Sequence, residues 1–343
     1  MADALATLLH VSDLHIGDID PISGNNTLDS EVINLWRSAS IFQGYLGHSH
    51  RALCHLVDLW RDVSELERNP YVVVTGDITA TGAEGQYTTA LEYLLGSLVD
   101  PSTGLPLGLQ LAHSSPPMIP GNHDHWPGQR CTARRLALCM LGPSTPGLSR
   151  TFTKMPISPV RIPLAMTPPC TLVIAGLNTD ADVGNRKVPR FFARGSFVTQ
   201  CGAVFATLGP RKPDELRILL VHHSAIEEGV HRFMLRMEPA SRAALAATVQ
   251  KAGIAMVLSG HQHWVDYARP EDDPSVVIRE ARCGTTTARD YGHAGLKRDT
   301  ALIHRLFDDK LGGIRWEMEV RARRNDVGHF EPVEKVNFGR VWP

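Results

Sequence analysis

The chain has 343 residues, with 35 basic and 36 acidic side chains and a formal net charge of −1. This balance argues against an extended nucleic-acid surface, because such a surface leaves a basic stripe on the domain. Hydrophobic residues make up 43% of the chain, enough for a sizeable core, and no apolar run of 18 or more residues predicts a membrane span.

The N-terminus and the cysteines favour a cytoplasmic location. The segment MADALATLLHVSDLH enters the first predicted strand without the basic and apolar regions of a secretory signal. The six cysteines show no CxxC pairing, so we expect reduced and mostly buried thiols. They are at positions 54, 131, 139, 170, 201 and 283.

Apolar and β-branched runs alternate with helical patterns, which predicts an α/β protein. Strands are predicted near 7–12, 71–75, 116–119, 170–176, 215–221, 254–259 and 276–283. Helices are predicted over 49–66, 84–98 and 239–252. In the last of these, Pro239 suits a first turn and Gly253 a C-terminal stop.

Five of the predicted strands run directly into short motifs that are rich in metal-ligating side chains. In chain order the motifs are VSDLH, VVVTGD, IPGNHD, LRILLVHHS and LSGHQH. Open α/β sheets place their chemistry at strand ends, so we expect the motifs to converge on one site. Because they span most of the chain, a single domain over residues 1–343 is predicted.

The residue types in these motifs predict a pair of metal ions. Asp13 and His15 are two positions apart and can point to the same side at a strand end. Asp77 follows a permissive glycine, and a carboxylate can bridge two ions. Asn122 offers a neutral oxygen. One imidazole of the His222–His223 pair would complete the second ion, and His261 and His263 would serve one ion each.

The ordered set DxH, GD, GNHD, H and GHxH resembles the calcineurin-like metallophosphoesterase superfamily, and its bacterial phosphodiesterase-like branch in particular. The motifs extend from about Leu8 to Trp264. The resemblance implies a four-layer α/β/β/α sandwich, in which helices flank two mixed sheets and a dinuclear metal site lies at the C-terminal edge of the strands. Residues 276–343 would supply closing strands and a C-terminal extension.

Carried over residue by residue, the resemblance implies two ligand sets that share one carboxylate. Asp13, His15, Asp77 and His263 would hold one metal, and Asp77, Asn122, His222 and His261 the other. His222 is chosen because it directly follows the strand, although Ser224 departs from the proline that is common two positions later. His123 would stand beside the phosphate as a proton donor, and Asp124 would orient it or a ligand.

Such a site suits in-line hydrolysis of a phosphoester by a metal-bridging hydroxide. Mixed nitrogen and oxygen ligands suit two transition-metal ions such as Mn, Fe or Zn. The leading expectation is a small-molecule phosphodiesterase that acts on cyclic nucleotides or glycerophosphodiesters. The alternatives are a phosphomonoesterase, then a nuclease, for which Arg321, Arg323 and Arg324 give thin support, and then a non-catalytic binding scaffold. The sequence does not indicate an oligomeric state.

Three segments, 17–48, 125–169 and 179–213, are candidate determinants of specificity because loops on α/β scaffolds collect substrate contacts. The last two segments contain basic residues that could contact substrate. The simpler alternative is that these charged side chains are only exposed to solvent. These are Arg130, Arg134, Arg135, Arg186, Lys187, Arg190 and Arg194. His125 and His223 are further candidates for substrate contact. The other histidines are expected to be surface or ordinary packed residues, namely His48, His55, His113, His231, His293, His304 and His329.

Overall fold

The computed structural model describes residues 3–19, 26–27, 47–80, 84–111, 117–125, 159–179, 195–226, 237–287, 299–309, 311–323 and 328–342. Within these residues four helices are present: α1 (His50–Leu66), α2 (Glu84–Leu95), α3 (Val198–Leu208) and α4 (Pro239–Ala252). A single 3₁₀ turn spans His123–His125.

The first sheet contains six strands in the order β16-β15-β14-β1-β4-β7. Strand β1 pairs in parallel with β4, β4 pairs in parallel with β7, and the C-terminal strands are added antiparallel. The strands are β1 (Ala6–Val11), β4 (Pro70–Thr75), β7 (Met118–Ile119), β14 (Thr300–Asp308), β15 (Ile314–Arg323) and β16 (Phe330–Trp342).

The second sheet also contains six strands, in the order β12-β13-β11-β10-β9-β8. Strands β9, β10, β11 and β13 form its parallel centre, and β8 and β12 are antiparallel edges. Its strands are β8 (Val160–Leu164), β9 (Cys170–Gly176), β10 (Glu215–Leu220), β11 (Ile254–Ser259), β12 (Asp266–Ala268) and β13 (Glu280–Arg282). Two small ladders join β2 (Asp18–Ile19) to β3 (Asn26–Thr27) and β5 (Leu98–Val99) to β6 (Pro106–Leu107).

Three buried apolar clusters define four layers. The central cluster contains Leu8 and Trp316 of the first sheet and Ile218 of the second, so it lies between the sheets. The second cluster packs α1 and α2 against the opposite face of the first sheet. The third packs α3 and α4 against the opposite face of the second sheet. The α/β/β/α sandwich of two mixed sheets is therefore confirmed.

Local signals place the ends of α1 and α4 within one residue of the prediction. The Ser49 side chain caps α1 by accepting a hydrogen bond from the Ala52 amide at 3.4 Å. Helix α4 begins at Pro239 and ends at Gly253, which adopts a left-handed φ of 62°. Helix α2 ends at Leu95, three residues before the predicted end, because Gly96 turns the chain with a φ of 78° into β5.

Some elements differ from the expectation or were not predicted. The predicted strand over 276–283 is reduced to the three residues of β13. Helix α3 and strand β8 lie inside segments predicted as loops, since their sequences carry no clear helical or strand period. The predicted closing strands are present as β14, β15 and β16, which form one antiparallel extension of the first sheet.

Two further expectations concern the membrane and the cysteines. No helix among the described residues is long and apolar enough to cross a membrane. The described cysteines, at positions 54, 170, 201 and 283, are all free thiols, and all but Cys54 are buried. The cysteines at positions 131 and 139 lie outside the described residues.

Candidate metal centre

The predicted ligands all follow the carboxyl ends of parallel strands. Register pairs Val11 of β1 with Val74 of β4, and Val74 with Met118 of β7, so these three strands end at the same edge. In the second sheet, Leu220 of β10 pairs with Leu258 of β11. The loops that leave these five strands carry Asp13, His15, Asp77, Asn122, His222, His261 and His263.

Hydrogen bonds hold the loop edges of the two sheets together. The His261 amide donates to Asp13 Oδ2 at 2.9 Å, and His222 Nδ1 contacts the Thr75 carbonyl at 2.7 Å. The Asp13 amide donates to the Gly76 carbonyl at 3.0 Å. The predicted convergence of the five motifs is therefore present in the structure.

Strained backbone concentrates at this edge. Seven described residues other than glycine have a positive φ, and five of them are predicted ligands. Those five are Asp13, His15, Asp77, His261 and His263, with φ between 47° and 75°. Left-handed backbone is costly for residues with a Cβ and persists where the surroundings demand it. The left-handed turns, rather than the simple strand alternation that the sequence suggested, bring the alternate residues of each motif together.

One cluster of donor atoms contains Asp13, His15 and His263. His263 Nε2 lies 3.3 Å from Asp13 Oδ1 and 3.2 Å from His15 Nε2. His15 Nε2 lies 3.8 Å from Asp13 Oδ1 and 3.9 Å from Asp77 Oδ2. These spacings allow four donors to face one ion.

A second cluster contains Asn122, His222 and His261. His222 Nε2 is 3.1 Å from Asn122 Oδ1, 3.2 Å from His261 Nδ1 and 3.2 Å from Asp77 Oδ2. The same oxygen of Asp77 therefore faces both clusters. A shared carboxylate oxygen between two sets of imidazole and oxygen donors is the arrangement that a dinuclear transition-metal centre needs.

Burial and charge support metal binding here. Asp13 and Asp77 are buried, and Asp13 Oδ1 faces only the imidazoles of His15 and His263. Burial alone would raise the pKa of each carboxyl, but the surrounding imidazoles outweigh it and hold both pKa values well below the usual range. Two buried carboxylates surrounded by imidazoles fit a site for cations.

Two glycines allow the loops to approach so closely. Gly76 has a φ of 98°, and a Cβ there would lie 2.6 Å from His222 Nδ1. A Cβ at Gly121 would clash with Asp77 Oδ1 and lie 2.7 Å from His222 Nε2. A side chain at either position would occupy the space between the two sheets where the donors meet.

The two adjacent imidazoles of the VHH motif have different environments. His222 Nε2 faces the second cluster, and its pKa rises to about 9 because the attraction of Asp77 outweighs burial. His223 Nδ1 instead contacts the Thr179 hydroxyl at 2.7 Å, and its ring lies 4.3 Å from that of His261. This geometry favours His222 as the ligand and His223 as a neighbour that supports His261.

His123 lies at the edge of the first cluster. Its Nδ1 is 2.8 Å from the Ala80 carbonyl, and its Nε2 is 3.9 Å from Asp77 Oδ2. A neutral imidazole that donates from Nδ1 presents its Nε2 lone pair to the site. Burial lowers the pKa of His123 to about 4, against the opposing attraction of Asp77.

Asp124 lies between the GNHD loop and the loop of Asp77. Its carboxylate accepts hydrogen bonds from the amides of Ile78, Thr79 and Gly121 at 2.9 to 3.2 Å. The Thr79 hydroxyl adds a fourth at 2.8 Å. These bonds tie the GNHD loop to the loop of Asp77, so Asp124 orients the backbone that carries the predicted ligands Asp77 and Asn122.

Some of the remaining histidines lie among the described residues and the others lie outside them. His48 and His304 are buried, His55 is partly exposed, and His329 lies on the surface next to His55. His48 accepts a hydrogen bond from the Gly17 amide at 3.1 Å and so supports the loop of His15. Outside the described residues are His113, His231, His293, the side chain of His125, and the basic residues predicted to line the site, Arg130, Arg134, Arg135, Arg186, Lys187, Arg190 and Arg194.

Sequence reasoning missed a threonine segment that supports the first ligand loop. The Thr285 hydroxyl donates to the Asp13 carbonyl at 2.9 Å, and that of Thr287 donates to the Leu14 carbonyl at 2.6 Å. Thr286 accepts from the Ser12 amide at 3.1 Å. Three consecutive threonines, separated by Gly284 from a predicted strand, were the available signal, because hydroxyls at such positions bond to backbone.

The fold and the site together define a metal-binding α/β sandwich with its donor atoms at the meeting edge of two sheets. The profile of the calcineurin-like phosphoesterase family matches residues 6–265. The chain therefore belongs to the calcineurin-like phosphoesterase family. A comparison with curated protein sequences finds no match.

Solved structures match this chain at low sequence identity. GAP50, the anchor in the inner membrane complex of Plasmodium, is 12% identical with a TM-score of 0.55, over 98% of this chain and 89% of that one. A predicted phosphoesterase of Streptococcus pneumoniae is 11% identical with a TM-score of 0.35, over 99% of both chains. The NAD nucleotidase of Haemophilus influenzae is 11% identical with a TM-score of 0.36, over 97% of this chain and 49% of that one.

Proposed function

We propose that this protein is a dinuclear-metal-dependent hydrolase of phosphoesters, with small-molecule phosphodiesters as its substrate class. The observation that carries the proposal is the position of Asp77 Oδ2, which faces two clusters of nitrogen and oxygen donors at once. Asp13, His15, Asp77 and His263 would hold one ion, and Asp77, Asn122, His222 and His261 the other. Mn, Fe or Zn suits such mixed donors.

The bound ions supply Lewis acidity and lower the pKa of water from about 15.7 towards neutrality. The side chains of the protein attract and position the substrate. Only two of the seven ligands carry formal charge, Asp13 and Asp77, so the loaded centre keeps a net positive charge that attracts a phosphate. His123 Nε2 lies beside the shared carboxylate. The negative charge of a bound phosphoester favours the imidazolium form, in which Nε2 carries a proton that it can donate to a phosphoryl oxygen or to the leaving oxygen of the ester.

The described residues do not support all of the alternative functions equally. A nuclease would need cations that are available to a phosphate backbone. Arg321 lies 2.5 Å from Glu319, and Arg323 is buried against Asp299, so both of these cations are already paired. Arg324 lies outside the described residues. The sequence-based support for a nuclease, already thin, is therefore weaker. Only an assay can distinguish a phosphomonoesterase from a phosphodiesterase.

The test is hydrolysis of a panel of monoesters and diesters by purified protein of known metal content. We expect chelation to abolish hydrolysis and Mn²⁺ to restore it, with diesters cleaved faster than monoesters. Full turnover by thoroughly metal-stripped protein would refute the proposal. A scaffold without activity would bind metal and yet hydrolyse none of the esters.

Two variants make the test specific to this centre. Asp77→Ala should lose both ions, because its carboxylate faces both clusters. Asn122→Ala should weaken one ion and retain the other, with a large loss of rate, because Asn122 contacts only the second cluster through Oδ1. Metal analysis of both proteins measures the number of bound ions. If the two variants hold the same number of ions, Asp77 is not a ligand shared by both ions.

A further inference from the structure

A second group of metal-ligating side chains lies outside the predicted centre. His50 and Cys54 are four residues apart on the first two turns of α1, so their side chains lie on the same face of the helix. Asp100 directly follows β5 and reaches the same point. None of the five motifs contains these residues, and the three types supply a nitrogen, a sulfur and an oxygen.

The spacing of the three donor atoms resembles that around a tetrahedral zinc ion. His50 Nε2 lies 3.2 Å from Asp100 Oδ1 and 3.7 Å from Cys54 Sγ. All three donor atoms lie within 4.8 Å of one another. Zinc bonds of about 2.0–2.3 Å at tetrahedral angles place neighbouring donors roughly 3.3–3.6 Å apart. Small rotations of the Cys54 and Asp100 side chains would therefore complete the geometry.

The group is also held in position. Asp100 Oδ1 accepts from the Ser102 amide at 2.8 Å and from its hydroxyl at 2.7 Å, while Oδ2 accepts from the Thr103 hydroxyl at 3.0 Å. Bonds of this kind orient a ligating carboxylate before the metal arrives. The side chains of His50 and Asp100 are 11% and 12% exposed, so the group lies just below the surface where an ion can enter.

We propose that His50, Cys54 and Asp100 form a mononuclear site for Zn²⁺ or a similar thiophilic divalent cation, with a fourth position left for water or an external ligand. The thiol proton would leave to solvent as the ion binds. A thiolate and an imidazole select Zn²⁺ over Mg²⁺ or Ca²⁺, which prefer oxygen.

Such an ion would join the start of α1 to the β5–β6 ladder. That helix start is linked to the metal centre, since the Ser49 amide donates to the Thr287 carbonyl at 2.7 Å and His48 accepts from the Gly17 amide at 3.1 Å. The ion would therefore fix the platform on which the His15 loop rests. Its expected role is structural, or regulatory if an external ligand takes the fourth position.

The test uses Co²⁺ as a spectroscopic substitute for Zn²⁺ in the full-length protein. A cobalt–thiolate bond gives a charge-transfer band in the near ultraviolet, which the nitrogen and oxygen donors of the dinuclear centre cannot produce. We expect the wild-type protein to show this band, Zn²⁺ to displace it, and Cys54→Ala to abolish it. The metal content of the zinc-loaded protein should fall by one ion per chain in the same variant.

Matched variants separate the site from other thiols and from misfolding. Cys170→Ala removes a buried cysteine of β9 and should keep the full band. Asp100→Asn keeps an oxygen for the Ser102 bonds but removes the charge, and it should weaken Co²⁺ binding at least tenfold. Far-ultraviolet circular dichroism confirms that each protein is folded. The proposal fails if folded wild-type protein shows no thiolate band, or if the band survives in Cys54→Ala.

Discussion

His222 and His223 are adjacent in the same motif, but their imidazoles make different contacts. Both imidazoles are buried, but His222 Nε2 faces Asn122 and Asp77, whereas His223 Nδ1 contacts Thr179. We expect His222→Ala to abolish binding of one ion and His223→Ala to weaken it by about 10- to 100-fold at most, the usual effect of losing a residue that only supports a ligand. Titration of each metal-stripped variant with Mn²⁺ measures this. The reverse order of effects would make His223 the ligand.

His123 is expected to help the leaving oxygen depart. Its Nδ1 is committed to the Ala80 carbonyl, which aims Nε2 at the centre. His123→Ala should keep both ions, and its rate penalty should rise from modest with a nitrophenyl diester to about 10²-fold or more with an alkyl or nucleoside diester. The measurement is the rate of each ester under conditions where chemistry is rate-limiting.

Equal penalties across leaving groups of very different pKa would contradict proton donation by His123. The imidazole would then act on the phosphoryl oxygens, because charge stabilisation slows all the esters alike. Retention of both ions in His123→Ala is the control, since loss of metal would by itself lower every rate.

At this scale the sequence predicted which residues meet but not how they meet. Asp13, Asp77 and Asn122 could be chosen because each ends a predicted strand in a motif of known type. The left-handed turns at Asp13 and Asp77, and the contribution of Thr285 to the Asp13 loop, depend on contacts between distant segments. Local patterns contain no information about such contacts. The roles of the ligands stay predictions until metal analysis.

At the scale of elements, a chain of hydrogen bonds crosses four neighbouring strands of the first sheet. Trp316 Nε1 donates to His304 Nδ1 at 3.0 Å, His304 Nε2 lies 3.4 Å from His10 Nδ1, and His10 Nε2 lies 2.9 Å from the Thr75 hydroxyl. Since an indole can only donate, both imidazoles must be neutral and must donate from Nε2. The chain ends at Thr75, whose carbonyl contacts the ring of His222.

Because these imidazoles are neutral in the folded protein, we expect the protein to lose stability in acid. Burial lowers the pKa of His10 from 6.5 to about 3, and burial and His10 lower that of His304 well below its usual value. Because the unfolded chain binds these protons below pH 6.5 and the folded chain does not, stability falls as the pH drops from 6.5 towards 3. Each imidazole accounts for about 2 kcal/mol at pH 5.

His304→Leu and Trp316→Phe separate titration from hydrogen bonding. His304→Leu should reduce the fall in unfolding free energy between pH 7 and 5 by roughly 2 kcal/mol. Trp316→Phe keeps both imidazoles, so it should lower stability by about 1–3 kcal/mol at each pH with the wild-type dependence. Urea unfolding of the chelated proteins measures both quantities. An unchanged pH dependence in His304→Leu would show that His304 takes up its proton in the folded state.

The elements themselves were predictable to different degrees. Strands β1, β4, β9, β10 and β11 are mostly apolar and mostly buried, and helices α1 and α4 carry cap residues, so local sequence is sufficient. Helix α3 was missed because packing against the second sheet stabilises it, and strand β13 is shorter than predicted because it pairs with β11 over only three residues. The division of the strands into two sheets followed from the family resemblance and not from periodicity.

At the scale of the whole molecule, the candidate metal centre lies where the two sheets meet. Asp13, Asp77 and Asn122 follow strands of the first sheet, and His222, His261 and His263 follow strands of the second. An ion that needs ligands from both sheets binds the folded chain only, and so it stabilises the fold by mass action. At about 1,000 times the dissociation constant the gain is about 4 kcal/mol for each ion.

We therefore expect Mn²⁺ to raise the urea midpoint of the wild-type protein well above that of the chelated protein, with Asp77→Ala unaffected by Mn²⁺. Manganese is the right probe, because the thiolate of the proposed His50–Cys54–Asp100 site disfavours it. A parallel titration with Zn²⁺ should stabilise Asp77→Ala as well, through that second site. If Mn²⁺ binds the wild-type protein and leaves its midpoint unchanged, the unfolded chain binds Mn²⁺ as tightly as the folded chain does, and the proposed site built from both sheets is wrong.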